Sequence, residues 1–237
     1  MLEVDIKERV FNTHGGQSLH AIGELKFSLK PDSFTVIVGP SGCGKTTTLR
    51  MILGLDTGYK GLIKTEFDKG VAAVFQEPRL LPWRTVEQNV RLALGRELPE
   101  KQVAESLDEL FATLGLIDVR HFYPSQLSLG LARRAAIARA FAVEPALLVL
   151  DEPFVSLDEP TADRLRVLLL EVWQARPTTV LMVTHNVREA ATLADDILIF
   201  SQRPTRLLDT IAIETPRHQR DASFIQSIVD ELKKAVD

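Results

Sequence analysis

Short, continuous apolar runs alternate with longer amphipathic stretches along this chain. Five of the runs have the length and β-branched content of buried strands: residues 34–38, 71–75, 146–150, 179–183 and 197–200. Because these runs are apolar at consecutive positions, we expect a sheet that is covered on both faces. The amphipathic stretches between them predict helices, and the alternation of strand and helix predicts an α/β fold with a parallel-rich sheet.

The segment from residue 77 to residue 142 has a different pattern and contains no convincing strand. Between Pro99 and Gly115, apolar residues recur at the spacing of one helix face: Val103, Leu107, Leu110, Phe111 and Leu114. We therefore predict a helical insertion at 77–142 within a core formed by residues 1–76 and 143–237.

A second apolar stripe predicts an amphipathic helix in the tail, from Ala222 to Val236. Such a helix either packs against the core or binds a partner, and packing is the simpler interpretation.

Composition and charge narrow the class of protein. A hydrophobic content of 45% with 25% charged residues excludes intrinsically disordered classes. The net charge of -4, from 28 Lys and Arg against 32 Asp and Glu, argues against nucleic acid as a partner. The single cysteine cannot form an internal disulfide, which fits a reducing cytoplasm. No apolar run approaches the ~20 residues that cross a bilayer, and no targeting segment is visible.

One motif fits the pattern G-x-x-x-x-G-K-[ST] between a predicted strand and a predicted helix. It comprises Gly39, Pro40, Ser41, Gly42, Cys43, Gly44, Lys45 and Thr46, with Thr47 next in the helix. The glycines let backbone N–H groups turn toward a phosphate, and the helix N-terminus adds a positive dipole end. We expect Lys45 to reach the β- and γ-phosphates of a nucleotide and the Thr46 hydroxyl to ligate Mg²⁺.

Polar side chains follow three further predicted strands. Asp151 and Glu152 come directly after the run at 146–150, where Asp151 is suited to hold Mg²⁺ and Glu152 to act as general base on water. His185 follows the next strand and is either a phosphate hydrogen-bond donor or a structural residue. Gln76 follows the run at 71–75 and is either an amide near Mg²⁺ or a polar loop residue.

A second phosphate-binding helix N-terminus is indicated by Leu127-Ser-Leu-Gly-Leu131, which opens a strongly helical run. Ser128 and Gly130 are its candidate anion-contacting residues. These segments are more informative in their order than any one of them is alone: the phosphate loop, Gln76, this serine motif, Asp151-Glu152, Ser156-Leu-Asp158 and His185.

In the order of these motifs, the chain resembles the ATP-binding subunit of ABC transporters over nearly its whole length. The motifs that carry the resemblance are GPSGCGKT, VFQEP, LLVLDE, VSLD with Asp158, and VTHN. The resemblance implies a P-loop NTPase (RecA-like) core with a parallel-rich sheet, an N-terminal antiparallel β portion and an inserted helical subdomain. It also implies Mg²⁺-dependent ATP hydrolysis by a dimer, a homodimer in the simplest case. Each ATP would lie between the phosphate loop of one subunit and the serine motif of the other, and closure would drive a transmembrane permease.

A narrower resemblance is carried by FQEPRLLPWRTVEQNV (75–90) and LIFSQRPTRLLDTI (198–211). These segments are similar to the nitrate/sulfonate/taurine importer branch. The resemblance to that branch implies uptake of a small polar or anionic solute. It also implies that the subunit lies on the cytoplasmic face of the plasma membrane and that an extracytoplasmic solute-binding protein is its indirect partner. It also implies an aromatic residue that stacks on adenine, which we assign to Phe11, with His14 as the rival.

Two features depart from the family pattern or leave alternatives open. The family's LSGGQ is LSLGL here, so Leu129 replaces a glycine and Leu131 a glutamine. If position 129 is already helical, a leucine costs little there, whereas if it needs a positive φ the loop must distort. Leu131 removes a polar contact that the family pattern places near the ribose. Because the motif is altered, the alternative to an ATP-hydrolysing subunit is a nucleotide-binding regulatory subunit with little turnover. The apolar cluster at 80–83, which ends in Trp83, is either a buried corner of the insertion or a groove for a short permease helix.

Overall fold

The computed structural model describes residues 1–12, 18–67, 69–94 and 100–236. Over these residues the chain forms ten strands, which are β1 Leu2–Asn12, β2 Ser18–Ile22, β3 Leu25–Leu29, β4 Phe34–Val38, β5 Tyr59–Thr65, β6 Val71–Val74, β7 Leu147–Asp151, β8 Thr179–Val183, β9 Asp196–Phe200 and β10 Leu207–Ala212. It also forms seven α-helices, which are α1 Lys45–Ile52, α2 Val86–Arg91, α3 Glu100–Thr113, α4 Leu129–Phe141, α5 Glu159–Ala175, α6 Val187–Leu193 and α7 Ala222–Val236. The five strands predicted from apolar runs are all present, with ends within one residue of the prediction.

Two compact units make up the chain, Met1–Phe67 with Thr179–Asp237 and Asp68–Thr178. The first unit holds an antiparallel sheet in which β1 pairs with β2, β3 and β5. It also holds a mixed sheet in which β4 lies between β8 and β9, parallel to both, and β10 runs antiparallel to β9. The antiparallel N-terminal portion is therefore as predicted.

The parallel register of β4 and β8 brings two predicted site segments to one edge of the first unit. Ile37 pairs with Val183, and the Thr184 backbone N–H donates to the Ile37 carbonyl at 3.2 Å. Both strands are buried at every position, as their continuous apolar sequences predict. Since β4 and β8 end at the same edge, the phosphate loop and His185 leave the sheet side by side.

The second unit contains the parallel pair β6 and β7 and the helices α2 to α5. Its described residues between 77 and 142, which exclude 95–99, form helices and turns but no strand. The predicted stripe of α3 is buried at Val103, Leu107, Leu110, Phe111 and Leu114. The division of the chain into a core and an insertion at 77–142 stays a prediction.

The tail helix α7 packs inside the first unit. Ile228, Val229 and Leu232 are buried, and α7 contacts α6 and β9. Packing is therefore the correct interpretation of its apolar stripe. Nowhere in the described part of the chain is a helix both long and apolar enough to span a bilayer.

Candidate functional site

The loop between β4 and α1 has the backbone geometry that a phosphate cradle needs. Gly42 has a φ of 73° and Gly44 a φ of 124°, both in the region that favours glycine. A Cβ on Gly44 would lie 2.6 Å from Thr205 Oγ1 and 2.7 Å from Ile22 Cδ1. Position 44 therefore accepts only glycine, for reasons of both backbone conformation and space.

The phosphate loop leads directly into the N-terminus of α1. Its N-cap is Gly44, which has no side chain to cap the first turn. The positive end of the helix dipole lies at this loop and favours an anion there. Thr46 is exposed in this first turn and Thr47 is half-buried beside it. These positions suit the predicted contacts of a phosphate chain and of Mg²⁺.

Lys45 folds back over the loop rather than extending into solvent. The residue is 5% exposed, and Nζ donates to the carbonyls of Gly39 at 2.7 Å and Pro40 at 2.9 Å. The ammonium is thus held over the loop. An entering phosphate oxygen would replace a neutral carbonyl with a charged acceptor, which makes a stronger hydrogen bond.

Cys43 is buried beneath the loop, with Sγ 3.9 Å from Lys45 Nζ. Burial raises the pKa of the Cys43 thiol, although the charges of Lys45 and Arg203 act in the opposite direction. The thiol is therefore neutral near pH 7. Cys43 is therefore a structural part of the loop and not a nucleophile.

Iodoacetamide is expected to alkylate Cys43 at pH 8.5 at least about tenfold more slowly in the folded chain than in urea. The reason is that the thiolate is the reactive form, and a raised pKa shifts its formation to higher pH. The rate is measured by mass spectrometry over a pH series. If the alkylation rate of the folded chain instead reaches its plateau at the pH expected for an ordinary thiol, the pKa of Cys43 is not raised and the prediction is wrong.

The turn that carries His185 is fixed by a buried carboxylate. Thr184 Oγ1 donates to Glu189 Oε2 at 2.6 Å, and Asn186 Nδ2 donates to Glu189 Oε1 at 3.3 Å. Asn186 also caps α6 by accepting from the backbone N–H of Arg188. His185 itself is exposed between these anchored residues. The imidazole is thereby presented at the edge where the phosphate loop begins.

In the second unit, three predicted residues share one sheet edge. Because β6 and β7 are parallel and Val74 pairs with Leu150, Gln76 leaves this pair on the same side as Asp151 and Glu152. The Asp151 side chain is buried, whereas Gln76 is exposed.

Glu152 stands in a left-handed backbone conformation with a φ of 47°. Non-glycine residues in that region cost of order 1–3 kcal/mol and concentrate at functional sites. The turn that follows is tied to α4, because the buried Arg133 donates to the carbonyls of Glu152 at 3.2 Å, Pro153 and Val155. The turn carrying the predicted base and the helix carrying the serine motif are thus held together.

The altered serine motif forms without strain. Ser128 is the N-cap of α4, and its Oγ accepts from the Leu131 backbone N–H at 3.3 Å. Leu129 is the first residue of α4 and does not have a positive φ. The loop is therefore not distorted at position 129. Leu129 is exposed and Gly130 is buried, where a Cβ would lie 2.9 Å from Thr161 Cγ2.

Two other predicted contacts already have partners within the chain. Asp158 caps α5 by accepting from the Thr161 backbone N–H at 3.2 Å, and hydrogen bonding to Thr161 lowers the pKa of its carboxyl. Phe11 lies on β1, with the Arg9 guanidinium carbon 3.9 Å from its ring centroid. One face of Phe11 is therefore covered, and an adenine would need the other. His14 lies outside the described residues.

The residues present fit Mg²⁺ held mainly through a nucleotide. No group of three or more His, Cys, Asp or Glu side chains among the described residues could hold a metal ion. Mg²⁺ is commonly bound through one or two carboxylates together with substrate phosphates and water. The hydroxyl of Thr46 in the first unit and the oxygens of Gln76 and Asp151 in the second unit are ligand types of that kind.

Sequence reasoning missed Thr205 and Arg133, which support these loops. Thr205 is fully buried, and its Oγ1 lies within hydrogen-bond distance of the carbonyls of Ala21 and Cys43, which share its one O–H donor. Its place behind the phosphate loop has no signal in the sequence. Arg133 has a weak signal, since it is one of three arginines in the mostly small and apolar run of α4. The structure shows that Arg133 is 3% exposed.

Comparison with known proteins places this geometry in a family. A family model described as "ABC transporter" matches residues 22–155. The aliphatic sulfonates import ATP-binding protein SsuB of Bacillus subtilis (strain 168) is 36% identical, over 99% of this chain and 95% of its own length. The aliphatic sulfonates import ATP-binding protein SsuB 2 of Burkholderia lata is 45% identical, over 86% of this chain and 76% of its own.

Solved structures agree on the fold. The dimeric bacterial ABC transporter cassette MJ0796 aligns with a TM-score of 0.78 and 24% identity, over 91% of this chain and all of its own. The predicted α/β P-loop NTPase fold is thereby confirmed. Because the family model covers more than half of the chain and the relatives cover most of it, the chain belongs to the ABC transporter family and is an ATP hydrolase of that family.

Proposed function

We propose that this chain is the peripheral ATPase subunit of an importer that takes up an organic sulfonate or a similar small anion. The observation that carries the proposal is the identity of 36–45% with relatives named for aliphatic sulfonate import, over most of this chain. The subunit would work on the cytoplasmic face of the membrane, as a homodimer bound to a transmembrane permease. An extracytoplasmic solute-binding protein would deliver the solute to that permease.

Within this function, each part of the site has a distinct task. Lys45 and the first-turn N–H groups of α1 would bind the phosphate chain of ATP. Thr46, Asp151 and Gln76 would hold Mg²⁺, which supplies charge neutralisation at the phosphates.

The other residues would act at the reacting end of the nucleotide. Glu152 would accept the proton of the attacking water, and His185 would donate a hydrogen bond to the terminal phosphate. Ser128 and Gly130 of the second subunit would close the site from the opposite side. Phe11 would stack on adenine with its free face, and Asp158 would lie at the dimer contact.

A regulatory subunit with little turnover is the weaker candidate. That candidate depends on a distorted LSLGL motif, whereas α4 begins at Leu129 in an ordinary helical conformation with Ser128 as its cap. Leu131 keeps its backbone contact to Ser128. Only the loss of a polar side chain at position 131 remains in its favour.

Reconstitution with the permease tests the proposed transport. Proteoliposomes holding the permease and this chain should accumulate radiolabelled ethanesulfonate when Mg-ATP is supplied on the side of this chain and the solute-binding protein on the other. Nitrate in place of the sulfonate tests the choice of solute. Uptake that does not depend on ATP, or on this chain, would contradict the proposal.

The apolar cluster at 80–83 is suited to receive the permease. Trp83 is 69% exposed, so the alternative of a buried corner is wrong for this residue. The loop that presents it is rigid, because the buried Asn89 accepts from the Leu81 backbone N–H at 2.7 Å and donates to the Arg84 carbonyl at 3.0 Å. An exposed indole on a fixed loop is typical of an interface anchor.

The Trp83→Ala variant is expected to lose permease-stimulated ATPase activity by at least about tenfold, while ATP affinity and thermal stability stay unchanged. Little packing is lost, because most of the side chain faces solvent. Co-purification of the tagged chain with its permease measures the attachment. Ile117→Ala is the matched control, since Ile117 is 51% exposed in the same unit. A fall in thermal stability, or an equal effect of Ile117→Ala, would contradict the assignment.

A further inference from the structure

The loop between β9 and β10 reaches the phosphate loop of the first unit. A Cβ built on Gly42 would lie 3.7 Å from the Nη2 atom of Arg203, the nearest atom to it. Gly42 and Ser41 are exposed at the tip of the phosphate loop, and Arg203 is exposed as well. The guanidinium therefore stands at the open rim of the cradle and not behind it.

This position is fixed by the residue two places further on. Thr205 is fully buried, and the Ala21 carbonyl, at 2.9 Å, and the Cys43 carbonyl share its one O–H donor. The Thr205 carbonyl accepts from the Gly23 N–H at 2.8 Å. Ser201 Oγ accepts from the Arg206 backbone N–H at 2.9 Å, which closes the loop on itself. Arg203 is thus carried on a short segment anchored to the phosphate loop.

The guanidinium of Arg203 is available to bind an anion. No hydrogen bond or ion pair engages it within residues 1–12, 18–67, 69–94 and 100–236. A hollow at this point is lined by Pro40, Ser41, Gly42, Cys43, Gln202 and Arg203. Four of its lining residues belong to the phosphate loop and another is Arg203, whose guanidinium is a planar cation, and this pairing suits phosphate oxygens.

We propose that Arg203 is a further nucleotide-binding residue, which donates hydrogen bonds from outside the G-x-x-x-x-G-K-[ST] motif to the phosphate chain. The inference rests on the proposed nucleotide site at the phosphate loop and adds one residue to it. Arginine at this position supplies a forked, permanently charged donor that lysine reproduces only in charge.

Binding of ATP and of inorganic tripolyphosphate by the full chain tests this role. Titration calorimetry gives the ATP affinity, and displacement of a fluorescent nucleotide gives that of tripolyphosphate. Arg203→Ala should weaken both by about tenfold, since hydrogen bonds to charged groups contribute that much. Arg203→Lys should recover part of the loss. Arg206→Ala is the matched control, because Arg206 is an exposed arginine of the same loop that faces Gly23 instead.

The outcomes separate this inference from the proposed nucleotide site. If Arg203→Ala binds both probes within twofold of the unaltered chain while Lys45→Ala loses them, the role of Arg203 is overturned and the nucleotide site stands. If Lys45→Ala also binds normally, the nucleotide site itself fails. A loss for ATP without a loss for tripolyphosphate, or an equal loss for Arg206→Ala, also overturns the phosphate contact. Thermal denaturation of each variant confirms that it is folded.

Discussion

The Glu152→Gln variant is expected to turn over ATP about 10²–10⁴-fold more slowly than the unaltered chain, with ATP affinity unchanged. Glutamine keeps the size of the side chain but cannot accept the proton of the attacking water. The left-handed backbone at this position, with a φ of 47°, and the Arg133 contact to its carbonyl do not involve the carboxylate. The substitution therefore removes the base and leaves the turn in place.

Steady-state phosphate release, measured beside ATP titration, checks this expectation. Glu171→Gln is the control, because Glu171 is an exposed glutamate on α5 and the substitution removes the same charge. If Glu152→Gln keeps more than half of the turnover, Glu152 is not the base. If the unaltered chain with its permease has no turnover either, the regulatory candidate becomes the better one.

The Gly44→Ala variant is expected to lose about 3 kcal/mol of folding stability and to bind ATP at least about tenfold more weakly. The methyl group would meet Thr205 Oγ1 at 2.6 Å and Ile22 Cδ1 at 2.7 Å, and both atoms belong to buried residues. Alanine also disfavours the φ of 124° that position 44 requires. Both the steric contact and the unfavourable φ are relieved by a shift of the backbone at position 44. Such a shift moves the first-turn N–H groups of α1 away from the proposed phosphate-binding position.

Gly54→Ala separates the two sources of strain in that prediction. Gly54 also has a positive φ, of 68°, but nothing lies within 4 Å of its built Cβ. We therefore expect a loss of only about 1 kcal/mol and normal ATP affinity. Urea denaturation measures the free energy of unfolding for both variants. Equal losses at the two positions would show that contact with Thr205 and Ile22 adds nothing.

Strand positions could be predicted well because the signal is local. The runs at 34–38 and 179–183 are apolar at every position, and β4 and β8 have those bounds. The stripe from Val103 to Leu114 similarly predicts α3, since burial of one face imposes the helical period. The conformation of Leu129 could not be predicted, because leucine is compatible with either side of a helix boundary and only the capped α4 decides it.

The sequence by itself predicted the chemistry that we propose for the candidate site. A glycine-rich loop between strand and helix, carboxylates after a buried strand and a serine before a helix each act through neighbours in the chain, so their spacing is sufficient. The tertiary structure alone decided what surrounds them. Thr205 lies 162 residues from Cys43 and yet supports it, and Arg203 reaches Gly42 from the same loop. Contacts of that kind depend on which strands pair and in what register. The local periodicity of the sequence does not specify the pairing of distant strands.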